Sequence, residues 1–226
     1  MEYIIDTFNL EDIKDAVDHL PVAGVTSNPS IVKATAPKDF FAHARAIREI
    51  IGKNKSLHIQ VTGLTADVML KEAERIFAEI DEDVYIKIPT SYEGVKAIKA
   101  LKAQGKNVTA TAIYTLDQAY LALAAGADYI APYVNRIGNL GGDPMKLIEE
   151  LSYRIEHDGY DCKILAASFK GVEQVQQAFN LGSQAVTAPV GILKAIFDNP
   201  SISKAVTDFN NDWYAVYGEG TTLADL

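Results

Sequence analysis

The chain has 226 residues, 48% hydrophobic and 23% charged, the balance of an ordinary globular protein. A formal net charge of -9 argues against nonspecific binding to nucleic acid or an anionic membrane surface, and no apolar run reaches the roughly 18–20 residues a membrane helix needs. One cysteine, Cys162, excludes an intrachain disulfide and a cysteine metal cluster and fits a reducing cytoplasm.

From the N-terminus onward, strand-like and helix-like segments alternate without a composition break. Met1-Glu2-Tyr3-Ile4-Ile5-Asp6 shows no basic segment ahead of a long apolar core, so no secretory signal is read and a cytoplasmic location is expected. Strands are predicted over residues 3–7, 24–28, 57–61, 84–89, 107–113, 129–134, 163–169 and 185–190. Between them, residues 66–80 carry Val68, Met69, Ala73, Ile76, Phe77 and Ile80 near the i, i+3, i+4, i+7 spacing of an amphipathic helix. Residues 92–104 form another, with Gly105 as its C-terminal cap. Gly141-Gly142 with Asp143 and Pro144 reads as a loop and the N-terminal cap of the next helix. Residues 192–197 and 201–217 read as two further helices, the second with Val206, Phe209, Trp213 and Tyr217 at helical spacing. That last helix either packs on its own domain or reaches a neighbouring subunit.

Eight strands alternating with helices imply parallel pairing through right-handed crossovers, and eight such units close into a (β/α)8 barrel. The expectation is a single barrel domain over residues 1–226 with compact loops. An open doubly wound sheet is the alternative. Against it, no Gly-x-Gly-x-x-Gly follows the first strand and no phosphate-binding Gly-x-x-x-x-Gly-Lys-Ser/Thr occurs.

In a barrel each strand turns one parity inward, and reactive groups gather at the strands' carboxyl ends. That parity is polar on strand after strand: Asp6 on the first; Thr26 and Asn28 on the second; His58 and Gln60 on the third; Lys87 on the fourth; Thr109 and Thr111, alternating with Val108, Ala110 and Ala112, on the fifth. The sixth ends Ala131-Pro132-Tyr133-Val134-Asn135-Arg136 and the seventh Ala167-Ser168-Phe169-Lys170. Lys87 is the most informative of these. It shares its parity with Tyr85 and Pro89 while Val84, Ile86 and Ile88 face the other way, so an amine points into the sheet interior, where lysine is seldom buried. Burial disfavours a charged amine and favours the neutral nucleophile.

Each residue alone has a plain structural explanation. Asp6 could cap the following helix or pair with Lys87, Thr109 and Thr111 could be β-formers, Tyr133 a core aromatic, Gln60 and Asn28 turn residues, Arg136 and Lys170 surface charges. Their shared parity and position favour a site, because a polar centre of this size costs stability unless its groups are paired. Of His19, His43, His58 and His157, none has a ligand spacing, and His58 lies deeper than Gln60, as a packed core histidine would. No metal or other cofactor is expected.

An amine among hydroxyls, amides and one carboxylate suits Schiff-base chemistry on a ketone, with an acid/base group beside it. Tyr133 is the inward candidate for that group, through a water held by Gln60 and Thr111. Arg136 and Lys170 could hold an anionic tail such as a phosphate, with Ser168 adding a neutral hydrogen bond. A phosphosugar-binding barrel without turnover and a pyridoxal phosphate enzyme are the rival readings.

Four motifs in order, Thr26-Ser27-Asn28-Pro29-Ser30, Ile86-Lys87-Ile88-Pro89, Ala131-Pro132-Tyr133-Val134-Asn135-Arg136-Ile137 and Ala167-Ser168-Phe169-Lys170, resemble the small transaldolase family, on its fructose-6-phosphate aldolase side. The resemblance covers essentially the whole chain. It implies a metal-free (β/α)8 class I enzyme with Lys87 as the Schiff-base lysine and Asp6 acting on the substrate hydroxyl whose proton moves during carbon–carbon cleavage. It also implies that Asn28 binds the dihydroxyacetone portion, and Arg136 with Ser168 the sugar phosphate. By the same resemblance the protein assembles as pentamers pairing into decamers, with the last helix on a neighbour. Similar transaldolases carry glutamate in place of Gln60 and phenylalanine in place of Tyr133; glutamine with tyrosine is the aldolase pattern. Relatives often carry aspartate where this chain has Gly138, which bears on aldehyde preference.

Overall fold

A computed structural model describes all residues, 1–226. In chain order the elements are β1 (Glu2–Asp6), α1 (Leu10–His19), β2 (Val22–Thr26), α2 (Pro29–Thr35), α3 (Phe40–Ile51), β3 (Ser56–Gln60), α4 (Ala66–Glu79), β4 (Tyr85–Pro89) and α5 (Tyr92–Ala103). Then come β5 (Val108–Ile113), α6 (Leu116–Ala124), β6 (Tyr129–Pro132), α7 (Val134–Asn139), α8 (Pro144–Asp158), β7 (Lys163–Ala167), α9 (Val172–Asn180), β8 (Ala185–Ala188), α10 (Val190–Lys194), a 3-10 turn and α11 (Pro200–Tyr217). All eight strands are parallel, each pairs with the next, and β8 closes on β1. This is the (β/α)8 barrel expected from the alternation.

Strand ends are shorter than the patterning suggested, for a local reason. Asn28, placed at the end of a strand by its spacing, instead caps α2: its side-chain oxygen accepts from the Ser30 and Ile31 amides at 2.9 and 3.1 Å, with Pro29 at the first helical position. Val134 and Val190 begin helices, and Ser168 leaves β7 in the left-handed conformation at φ 64°. Asp143 caps α8 ahead of Pro144, as read from the sequence. Asp6 does not cap the helix after it; Asn9 does.

Two apolar layers result from the period-2 alternation. Outward side chains such as Leu57, Ile59, Ile86, Ile88, Val108 and Ile130 pack against the helices in one large core. A smaller set, including Ile4, Ala131, Leu165 and Ala185, fills the barrel together with Tyr129. α5 sits so close to the end of β4 that a side chain at Gly94 would collide with the Pro89 carbonyl oxygen. This contact seats the strand that carries Lys87. α11 has no buried residue and leaves Ile202, Val206, Phe209 and Val216 exposed. No helix is long and apolar enough to cross a membrane.

Ala36 ends α2 in the left-handed region, at φ 47° and ψ 53°, and is exposed. A Cβ is unfavourable there, and glycine is the usual solution. Ala36→Gly is therefore expected to stabilise the protein by about 0.5–1 kcal/mol, a rise in Tm of roughly 1–4 °C for a chain of this size. A lowered Tm in a thermal melt would contradict this reading of the cap.

Candidate active site

The register of the barrel brings most of the predicted polar residues to one end. Lys87 is opposite Gln60 of β3 and Thr109 of β5, while Asp6 is opposite Thr26 of β2. Lys87 is 2% exposed, and its Nζ donates to the Ser27 carbonyl at 3.2 Å. No ion pair joins it to Asp6, so the structural salt bridge that could have explained a buried lysine is not formed.

Asp6 is held from the opposite direction. Thr26 donates its hydroxyl to Oδ1 at 2.7 Å, and that proton being committed, the Thr187 hydroxyl donates to Thr26 at 2.6 Å. Burial at the strand ends pushes the Asp6 carboxyl above its ordinary value, while Lys87, the Thr26 hydrogen bond and Arg136 pull it back. Thr187 is absent from the residues the motifs pick out, although its inward parity on β8 is legible in the sequence.

Tyr133 and Thr111 share a hydrogen bond of 2.9 Å between their hydroxyls, and both side chains are buried. Gln60 brings a buried side-chain oxygen with no protein partner. A hydroxyl pair, an unpaired amide oxygen and an amine in one recess can bind and protonate a small polyhydroxylated molecule. A cavity of 510 Å³ flanks this recess, walled by Ser27, Asn28 and Gln60 on the barrel side and by Val32, Phe40 and Phe41 on the helix side.

Arg136 lies in the first turn of α7 rather than at a strand end. Its guanidinium sits 4.8 Å from the centre of the Tyr133 ring. The Ser168 carbonyl accepts the Asn135 N–H at 2.8 Å, which ties the loop after β7 to the start of α7 and brings Ser168 near Arg136 in the fold. Lys170 is exposed and makes no ion pair; only its backbone N–H is engaged, by the Gln174 side chain. No group of three or more His, Cys, Asp or Glu side chains is placed to hold a metal ion.

Beneath the recess, His58 is fully buried, as the depth of its position suggested. Its Nδ1 lies 2.7 Å from Thr109 Oγ1 and its Nε2 2.9 Å from Ser56 Oγ. Both ring nitrogens are thus held by hydroxyls of neighbouring inward side chains. Burial first, then the charges of Lys87 and Arg48, push the imidazole down from 6.5 to about 3. A histidine depressed in the folded state gains a proton on unfolding, so its contribution to stability is lost as pH falls from 6.5 toward 3, by about 1.4 kcal/mol per unit. Asp6 works in the opposite sense, since the cost of burying its charge is relieved as pH drops through its raised value. His58→Gln should flatten the acid limb of a denaturant-derived stability curve between pH 6.5 and 4; a slope equal to that of the unaltered protein would remove His58 from the account.

The family model described as transaldolase/fructose-6-phosphate aldolase matches residues 3–220. A protein of Streptococcus pneumoniae (strain ATCC 700669 / Spain 23F-1), described as a probable fructose-6-phosphate aldolase, is 46% identical over 216 residues, 96% of this chain and 97% of the relative. With a match from the first strand to beyond α11, the chain belongs to the transaldolase/fructose-6-phosphate aldolase family.

Proposed function

We propose that the chain is a class I aldolase that reversibly cleaves fructose 6-phosphate to dihydroxyacetone and glyceraldehyde 3-phosphate. The observation that carries this reading is the enclosed amine of Lys87, 2% exposed and free of any carboxylate partner, next to polar groups on neighbouring strands.

In this reading Lys87 Nζ attacks the C2 ketone, and the C2 oxygen leaves as water to give an iminium. Asp6 takes the proton of the C4 hydroxyl, the C3–C4 bond breaks, and its electron pair becomes the C2=C3 bond of an enamine as the iminium nitrogen is neutralised and the aldehyde departs. Tyr133, polarised by Thr111, gives a proton to C3 and is reprotonated through water by the proton Asp6 took. Water then hydrolyses the new iminium and frees dihydroxyacetone and Lys87. Gln60 holds that water. Thr26 fixes the Asp6 carboxylate, and the Asn28 amide nitrogen, left free because its oxygen caps α2, donates to the dihydroxyacetone hydroxyls. Arg136 and Ser168 receive the phosphate, with Lys170 adding long-range attraction rather than a fixed contact.

Tyr133 favours the aldolase over the transaldolase reaction, since a phenolic hydroxyl can protonate the enamine where a phenyl ring cannot. The distinguishing experiment compares release of free dihydroxyacetone from fructose 6-phosphate, without acceptor, against transfer to erythrose 4-phosphate. Free release should dominate; predominant transfer would replace this assignment with a transaldolase of the pentose phosphate pathway. The assembly belongs to the same proposal. An 18-residue helix with exposed Ile202, Val206, Phe209 and Val216 is suited to packing on a neighbouring copy of a homo-oligomeric, pentameric or decameric, cytoplasmic enzyme.

A further inference from the structure

Strand β5 breaks the alternation that otherwise orders the barrel. Thr109 and Thr111 face inward, so continued alternation would send Ile113 inward and Tyr114 out toward the helices. Instead the register against β6 shifts between Ala110 and Ile113, and Ala112 takes up the left-handed conformation at φ 56°. Ile113 is consequently fully buried in the outer core, and Ala112 and Tyr114 pack on the interior cluster. A left-handed alanine is costly, and bulges beside reactive sites commonly re-aim a side chain.

What the bulge re-aims is the Tyr114 phenol. Its hydroxyl accepts from Arg136 Nη1 at 3.3 Å, and its ring meets the Tyr133 ring edge-on, with centroids 5.6 Å apart at 72°. The Tyr114 backbone is fixed as well, its N–H donating to Gln118 Oε1 at 3.0 Å beside the Thr115 capping box of α6. Arg136 is thereby held between two tyrosines with no carboxylate in ion-pair contact, Asp6 acting on it only through its charge, and its side chain stays exposed. An arginine left free would lose considerable rotamer freedom on binding an anion; one already oriented loses less.

We propose that Tyr114 is a positioning residue that sets specificity for a phosphorylated acceptor, by fixing the Arg136 fork over the mouth. This rests on the aldolase reading only for the identity of the acceptor; the anion preference itself is a property of the Tyr114–Arg136 pair. The Tyr114 hydroxyl is engaged by Arg136 and makes no hydrogen bond to Lys87 or Tyr133, so its loss should appear in binding of the anion and not in the chemical step.

The test has two independent arms, both on Tyr114→Phe, which removes one oxygen and keeps the ring contact with Tyr133; circular dichroism checks its folding. In aldol addition with dihydroxyacetone as donor, KM for glyceraldehyde 3-phosphate should rise about 5- to 10-fold, while kcat and KM for unphosphorylated glyceraldehyde change by less than about twofold. In calorimetric titration with inorganic phosphate, affinity should weaken by about the same factor, and the substitution should have no further effect in an Arg136→Ala background. Unchanged phosphate affinity, absence of phosphate binding by the unaltered protein, equal shifts for both aldehydes, or full additivity with Arg136→Ala would each overturn the inference. Should the unaltered protein make no aldol product from either aldehyde, the aldolase reading fails while the phosphate titration still decides the role of Tyr114.

Discussion

Lys87→Met should abolish turnover, lowering kcat by about 10⁴-fold or more, the scale seen when a covalent nucleophile is removed. With dihydroxyacetone and borohydride, the unaltered protein should gain the mass of one reduced three-carbon adduct at Lys87, and the variant none. Methionine is close in length to lysine and apolar, so it fills the same recess among Ser27, Gln60 and Thr109. It also removes the cost of holding a polar amine in an environment where it is 2% exposed and has one carbonyl partner at 3.2 Å. The expected pairing is thus lost activity with unchanged or raised Tm, the signature of a residue retained for chemistry against stability. An unmodified protein after reductive trapping, or a Lys87→Met protein with normal turnover, would remove the amine from the mechanism. A phosphosugar-binding barrel without catalysis would instead retain ligand binding in both proteins and turn over in neither.

Tyr133→Phe is expected to reduce free cleavage of fructose 6-phosphate by about 10²–10⁴-fold, the range for loss of a general acid/base. The ring itself is needed for packing: it lies under the Arg136 guanidinium and against Tyr114, and phenylalanine keeps both contacts. What disappears is the hydroxyl 2.9 Å from Thr111. Iminium formation at Lys87 does not require that hydroxyl to protonate carbon, so borohydride trapping with dihydroxyacetone should persist in this variant. Transfer to an added aldehyde should also decline less than free release, because the enamine can then be captured by a carbon electrophile instead of a proton. Near-normal cleavage would assign the proton to another group, with Asp6 an alternative on the inward face.

The two variants test different links. Lys87 is legible in six residues of sequence, because Ile86 and Ile88 can face the helices only if Lys87 faces the barrel. Tyr133 follows from its place two residues beyond Ala131, and the structure puts it in the same interior cluster. Asp6, Thr26, Gln60 and Thr111 followed by the same rule, and each lies on the inward side of its strand. The rule weakens where strands end. Asn28 has become a helix cap, Arg136 is helical, and Ser168 has a left-handed backbone, so their side-chain directions come from loop conformation instead of pleat. Lys170, counted with Arg136 as an anion-binding residue, is left exposed and unpaired outside the hydrogen-bonded set.

Alternation is a local property: each strand residue faces opposite to the one before, so the barrel, its eight strands and the inward direction of Lys87 could be read from neighbouring residues alone. Closure is not local. The Thr26–Thr187 hydrogen bond joins residues 161 positions apart, close to the seam where β8 meets β1, and exists only once all eight strands have paired. The bulge at Ala112 is equally invisible in Thr-Ala-Thr-Ala-Ile-Tyr, whose pattern runs straight through it; burying Ile113 outside the barrel and Tyr114 inside it is a demand of packing on both faces of β5 at once. Residue identities along each strand thus determined which chemistry the barrel could hold, and tertiary packing decided which side chains meet around it.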